Sequence, residues 1–283
     1  MRKTISAPRR GTPARALRAM VALAALAIAT APAAARADGF SAAATPSRFE
    51  LEAKAGQVLS RTIELQHVGT TESEYLLRSA DWSLGEERGL EFFAGLQAGS
   101  CRPWLRLERK TVRLRPNEKR RIRFEVHVPA DAPRGECRFA LMVEGSDSKQ
   151  VSIASATQVQ LPLSGRLGII VYVAIEGAQP KLELDAVAAV DDRGRRVPAV
   201  VVRNTGDAHG RLDGALRGVD ASGKALLFPV STLPLMPGQR RTLPLTPMES
   251  MTSRNQPELA WPVKLDGRLD WSGGGIEVAQ EVK

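Results

Sequence analysis

Residues 111–128 read TVRLRPNEKRRIRFEVHV, and this stretch decides the fold class. Within Arg121 to Val128 the residues Ile122, Phe124, Val126 and Val128 alternate with Arg121, Arg123, Glu125 and His127. Period-two alternation puts one face of a β-strand on a core and the other in water. Thr111 to Leu114 forms a shorter run of the same kind, and Arg115-Pro116-Asn117-Glu118 supplies the turn between the two.

The same rhythm continues in both directions. Upstream, Phe49 to Glu52 is followed by a turn at Ala55-Gly56, then by Val58 to Leu65, Tyr75 to Leu77 with Trp82, and Trp104 to Leu107. Downstream, the Pro/Gly-rich connection Pro129 to Gly135 leads into Phe139 to Val143. Gly145 to Thr157 is small, polar and free of aromatics, and reads as a loop. The long apolar run Val159 to Ile175 then opens a second series. It comprises Val197 to Val202, Leu212 to Val219, Ala225 to Phe228, Arg241 to Leu245, Leu265 to Trp271 and Ile276 to Val278, punctuated by Asn204-Thr205-Gly206, Met236-Pro237-Gly238 and Gly273 to Gly275. Ala186 to Val190 fits helix or strand equally. Two series of equal rhythm predict an all-β protein of two immunoglobulin-like β-sandwich domains in tandem, residues 38–166 and 167–283, with the boundary near Leu167 to Pro180.

The N-terminus bears on location. Basic residues from Arg2 to Arg18 precede the apolar run Ala19 to Ala29, and Ala35-Arg36-Ala37 offers a cleavage site before Asp38. This is the order of a secretory signal peptide, with an apolar run too short to span a bilayer. Residues 1–37 hold seven of the 40 Lys/Arg and none of the 31 Asp/Glu, so the net charge of +9 falls to +2 without them. The excess base therefore belongs to the export signal, and nucleic acid is not an expected partner. Later stretches fall short of membrane-spanning length, so no membrane insertion is expected after cleavage. Cys101 and Cys137, in a chain bound for an oxidising compartment, predict one disulfide.

Catalysis finds little support. His67, His127 and His209 read as surface or loop residues, without a nucleophile motif or metal-ligand spacing. Neither enzymatic activity nor a cofactor or metal is expected. The basic stretch from Arg106 to Arg123 reads first as the wet face of strands and second as a partner-binding face.

The order of motifs resembles the PapD-like periplasmic chaperones of pilus assembly over nearly the whole exported chain. Thr45 to Leu51 with Ala55-Gly56-Gln57 is similar to the family's first strand and turn. Trp104 to Val128 is similar to its central strands with their proline turn, Val159 to Tyr172 to the strand that crosses between domains, and Val202 to Gly206 and Leu235 to Gln239 to turns of the second domain. The resemblance implies a chaperone that lends an edge strand to a pilus or fimbrial subunit lacking one, with an outer-membrane usher as a further partner and the periplasm as its location. Val159, Leu161 and Leu163 would fill the subunit's groove. The family grips the subunit's terminal carboxylate with two basic residues. Arg48 matches the first; the second aligns with Gly168, with Arg166 nearby. Pro162 in the lending strand, His67 in place of the family's Asn, and the cysteine pair depart from the pattern. The alternative is a secreted immunoglobulin-like structural or adhesive module in which Val159, Leu161 and Leu163 complete the chain's own core.

Overall fold

In an all-β chain alternating side chains are buried by packing one sheet against another, and the chain does this twice. The computed structural model describes residues 40–283 apart from 86–88, 147–148, 154–158, 164 and 253–255. The export segment expected at residues 1–37 lies outside them. Twelve strands come first: β1 (Ala42–Thr45), β2 (Arg48–Ala53), β3 (Val58–His67), β4 (Ser73–Leu84), β5 (Leu90–Phe93), β6 (Leu105–Leu107), β7 (Thr111–Leu114), β8 (Lys119–His127), β9 (Gly135–Gly145), β10 (Lys149–Ile153), β11 (Val159–Leu163) and β12 (Arg166–Ile175). The remainder are β13 (Leu182–Asp192), β14 (Arg195–Asn204), β15 (Ala215–Val219), β16 (Ala225–Pro229), β17 (Arg240–Pro244), β18 (Val263–Trp271) and β19 (Gly274–Val282). The protein is all-β, with two immunoglobulin-like sandwiches.

In the first sandwich, a sheet ordered β1-β3-β8-β6 faces one ordered β2-β12-β9-β4-β5, with β7 paired to β4. Ile122, Phe124 and Val126 of β8 are buried against Phe139, Leu141, Val143, Val171 and Val173, as the alternation predicts. Asn117 stands at φ 61°, a conformation that Asn tolerates, and Glu118 N–H donates to Arg115 O, so the Pro116 turn closes as read. The chain changes sheets at Pro46-Ser47: Thr45 pairs with Glu64, whereas Arg48 runs parallel beside Ile170 of β12. Proline has no N–H to give a ladder, so the crossing falls there naturally. Cys101 and Cys137 form a disulfide with a Cα–Cα distance of 5.6 Å.

The second sandwich packs β13-β14-β17 on β16-β15-β18-β19 around a core that includes Val200, Val202, Leu216, Phe228, Leu243 and Leu265. The ambiguous segment at 186–190 is strand, within β13. Asn204 is fully buried and uses its whole amide, donating to Ala208 O and Leu235 O and accepting from the N–H groups of Lys181 and Gly206. The expected division after Arg166 falls at the start of β12, whose Ile169, Val171, Val173 and Ile175 fill the first core. The second core begins with Leu182. Pairing with β9 and β2 over ten and six residues holds β12 in the first sandwich, so the change of core comes at residues 176–181.

Gly145 to Thr157, expected as a loop, is partly strand: Lys149–Ile153 pairs antiparallel with Val159–Leu163, making a two-stranded arm between β9 and β12. A third apolar cluster lies on the outer face of the first sandwich. Ala80, Trp82, Ala140, Met142 and Tyr172 alternate with the first core's residues along β4, β9 and β12, and Met236 from the second sandwich covers them. Arg241 is buried beside this contact and donates to Leu84 O at 3.1 Å. Burying both faces of one sheet is what joins the two sandwiches.

Candidate binding site between the two cores

On that outer face, β2 and β9 present charged residues toward the second sandwich, and β12 presents Tyr172. Glu136, at the start of β9, is almost wholly buried, and its Oε2 accepts from His209 Nδ1–H at 2.6 Å and from His209 N–H at 3.1 Å. Its other oxygen, Oε1, is buried without a hydrogen-bond partner. The His209 ring stacks on Tyr172 at 3.7 Å between centroids. Arg211, two residues on, donates from Nη2 to the Tyr172 hydroxyl at 3.1 Å and from Nη1 to Thr232 O at 2.9 Å. Burial pushes the Tyr172 phenol up to about 12, so it stays neutral across ordinary pH. Burial also lowers the Arg211 guanidinium from its usual value, aided by Arg48 and opposed by the nearby acids.

Arg48 and Glu50 point the same way from β2, two residues apart, and their side chains pair at 2.8 Å while staying half exposed. Glu50 Oε1 also lies 3.5 Å from His209 Nε2 and 3.7 Å from Arg211 Nε. These groups line a cavity of about 320 Å³ together with Gln179, Ala208 and Ser272. At its edge Arg134 joins Asp207 at 2.6 Å, and Asp207 also accepts from Gln179 N–H. Two guanidiniums, Arg48 and Arg211, thus converge from different sandwiches on the Glu50 carboxylate.

Arg48 lines this cavity and Arg166 does not. Arg166 stands four positions before Ile170, the neighbour of Arg48, about 13 Å along the strand. Its guanidinium lies 5.9 Å from the Phe92 ring, in a separate groove with Arg78, Arg102 and Glu144. A Cβ at Gly168 would sit 2.4 Å from Phe92 Cζ, so a side chain there would require the Phe92 ring to move. The structure brings Arg48 together with Arg211 instead. Arg211 lies in a turn-rich stretch where no local pattern distinguishes it from other exposed cations.

Two histidines also differ from their sequence reading. His209 occupies a loop but is buried, because Glu136 and Tyr172 reach it from the other sandwich. His67 ends β3 inside the first core region, where Nε2–H donates to Thr71 O at 2.6 Å and Nδ1 meets the Tyr75 hydroxyl. His127 lies on the wet face, as read, beside Glu125. The basic stretch is largely paired: Lys119 and Arg121 with Glu64, Arg109 with Glu108, Arg113 with Glu72 and Glu74, and Arg120 with Glu118. Among the described residues no cluster of three His, Cys, Asp or Glu could hold a metal, and no helix is long and apolar enough to cross a membrane.

Fold and site together define a two-sandwich, immunoglobulin-like protein with a charged cleft. No protein-family model matches the chain, and no curated protein matches it in sequence. Among solved structures it is similar in fold to fimbrial chaperones. One belongs to a chaperone–tip adhesin complex of CFA/I fimbriae biogenesis, at 9% identity and a TM-score of 0.46 over 85% of this chain and 99% of the other. A second is from the CsuC–CsuE chaperone–tip subunit pre-assembly complex of Acinetobacter baumannii, at 14% identity, a TM-score of 0.43, and 86% and 98% coverage. A third is the Pseudomonas aeruginosa CupB2 chaperone, at 11% identity, a TM-score of 0.44, and 85% and 100% coverage.

Proposed function

We propose that the chain is a periplasmic chaperone of pilus or fimbrial subunits, without catalytic activity, that lends β11 to an incomplete subunit and delivers it for assembly at an outer-membrane usher. The observation that carries this reading is the β10–β11 arm: among the described residues, β11 has a neighbouring strand on one edge only. An open edge offers main-chain donors and acceptors to another chain. Alternation along the sequence gives Val159, Leu161 and Leu163 to one face, where they would enter the subunit's groove. Pro162 can serve in such a strand if its missing N–H lies away from the subunit.

The cleft supplies the second half of the grip. Arg48 and Arg211 hold the subunit's terminal carboxylate, Arg211 taking the place that the sequence resemblance left between Gly168 and Arg166. We assign residues 38–175 to the strand-lending domain and 182–283 to the second, with 176–181 as the connection.

Co-expression with pilus subunits of the same organism tests the proposal. A soluble equimolar complex should form, and the amides of residues 159–163 should gain hydrogen-exchange protection in it. A complex that leaves those amides unprotected would move binding to the loops and favour the adhesive-module reading.

A further inference from the structure

The cationic pair in the cleft already has an occupant from its own chain. Glu50 Oε1 lies 2.8 Å from Arg48 Nε, 3.7 Å from Arg211 Nε and 3.5 Å from His209 Nε2. Only the first contact has hydrogen-bond length, and Arg211 Nε is buried without a hydrogen-bond partner. A donor is therefore left over where an incoming oxygen would arrive. Glu50 and Arg48 are both about half exposed, at 49% and 48% of the side chain. An ion pair so open to water is weak and readily exchanged. His209 Nε2 lies 3.5 Å from the same Glu50 oxygen and offers the carboxylate an alternative partner, and His209 is itself anchored by Glu136.

We infer that Glu50 is a tethered competitor: its carboxylate occupies the seat between Arg48 and Arg211 that a partner's terminal carboxylate takes, and it must be displaced on binding. The inference rests on the carboxylate-clamp reading above. Its consequence is selectivity. A free carboxylate alone meets a neutralised site and gains little from it. A partner that also pairs along β11 delivers its carboxylate at high effective concentration and displaces Glu50. Glu50 thereby restricts the clamp to ligands that engage strand and carboxylate together.

The probe is N-acetylated trialanine, as free acid and as C-terminal amide, titrated into the full exported chain while the arginine Nε–Hε resonances are followed by NMR. Glu50→Gln should bind the acid about two- to fivefold more tightly than the parent, the gain that follows from removing an exposed ion pair, with amide binding unchanged. Glu281→Gln makes the same charge change on β19, outside the cavity lining, and should give no comparable gain. An equal gain from Glu281→Gln would reduce the effect to net charge and overturn the inference. Unchanged acid affinity in Glu50→Gln, with Arg48→Ala and Arg211→Ala abolishing the acid–amide difference, would also overturn it while leaving the clamp standing. If neither the parent nor Glu50→Gln distinguishes acid from amide, the clamp itself fails, and Glu50 has nothing to compete with.

Discussion

The apolar run from Val159 to Ile175 is one feature of the sequence but two regions of the molecule. β12 runs between β9 and β2, and Ile169, Val171 and Val173 are fully buried in the first core. β11, three residues earlier, pairs among the described residues with β10 alone. Similar apolar content thus ends in a saturated strand in one case and in an arm with an open edge in the other. Strand pairing is satisfied by neighbours, so what separates the two regions is how many neighbours the fold provides rather than how hydrophobic they are.

The largest expected effect tests that contrast directly. Ile169→Ala should cost about 2–5 kcal/mol in chemical denaturation, as for a filled core site. Leu161→Ala combined with Leu163→Ala should cost about 1 kcal/mol or less, in the range of surface changes, yet abolish subunit stabilisation. A double variant as destabilised as Ile169→Ala would place β11 in the chain's own core and break the comparison.

The disulfide should come next. It closes a loop with a sequence separation of 36 residues, joining the segment before β6 to β9 and not to the arm. Replacing both cysteines with serine should lower stability by about 3–4 kcal/mol on the chain-entropy account. Hydrogen exchange at residues 159–163 in the folded population should stay as it was. Faster exchange there would mean that the arm depends on the body more closely than its pairing indicates.

Arg48 and Arg166 sharpen the comparison at the level of binding. Arg48→Ala should weaken subunit capture about tenfold, the loss of a charge-assisted contact discounted for exposure. Its melting temperature should hardly move, since the pair with Glu50 is half exposed. Arg166→Ala should leave capture within about twofold. Equal losses from the two variants would restore Arg166 to the clamp.

Smallest is a pH effect at the cleft edge. The Arg134 guanidinium holds the Asp207 carboxyl below the usual aspartate range, helped by Gln179 N–H and opposed by burial. A depressed folded-state value means that the stabilisation is complete above the unfolded value of about 4 and is lost as pH falls through the folded one. Melting temperature followed from pH 6 to pH 3 should therefore fall less steeply in Asp207→Asn than in the parent. Identical slopes would show that Asp207 contributes nothing to acid sensitivity.

Much of the architecture was legible because its signals are local. Arg121 to Val128 carried its inward and outward faces in plain alternation, and the turns at Gly56, Asn117 and Gly238 announced themselves by residues that accept positive φ. The arm was half missed: Lys149–Ile153 lies in a polar segment and becomes strand only because β11 pairs with it. His209 was misread for the same reason. Its neighbours in sequence are those of a surface turn, while the groups that bury it come from the other sandwich.

The sequence by itself determined an all-β chain with two cores, its strand faces, its turns and the cysteines available to pair, since backbone sterics and period-two burial act over a few residues. Only the tertiary structure decided which charges meet. His209 reaches Glu136 across 73 residues, and Arg211 reaches Tyr172 across 39. Whether Arg48 is joined by Arg166 or Arg211 depends on how the outer face of one sheet docks against the turns of the second sandwich. No pattern within either strand encodes that docking, because it is set by the shape of surfaces that exist only once both cores have formed.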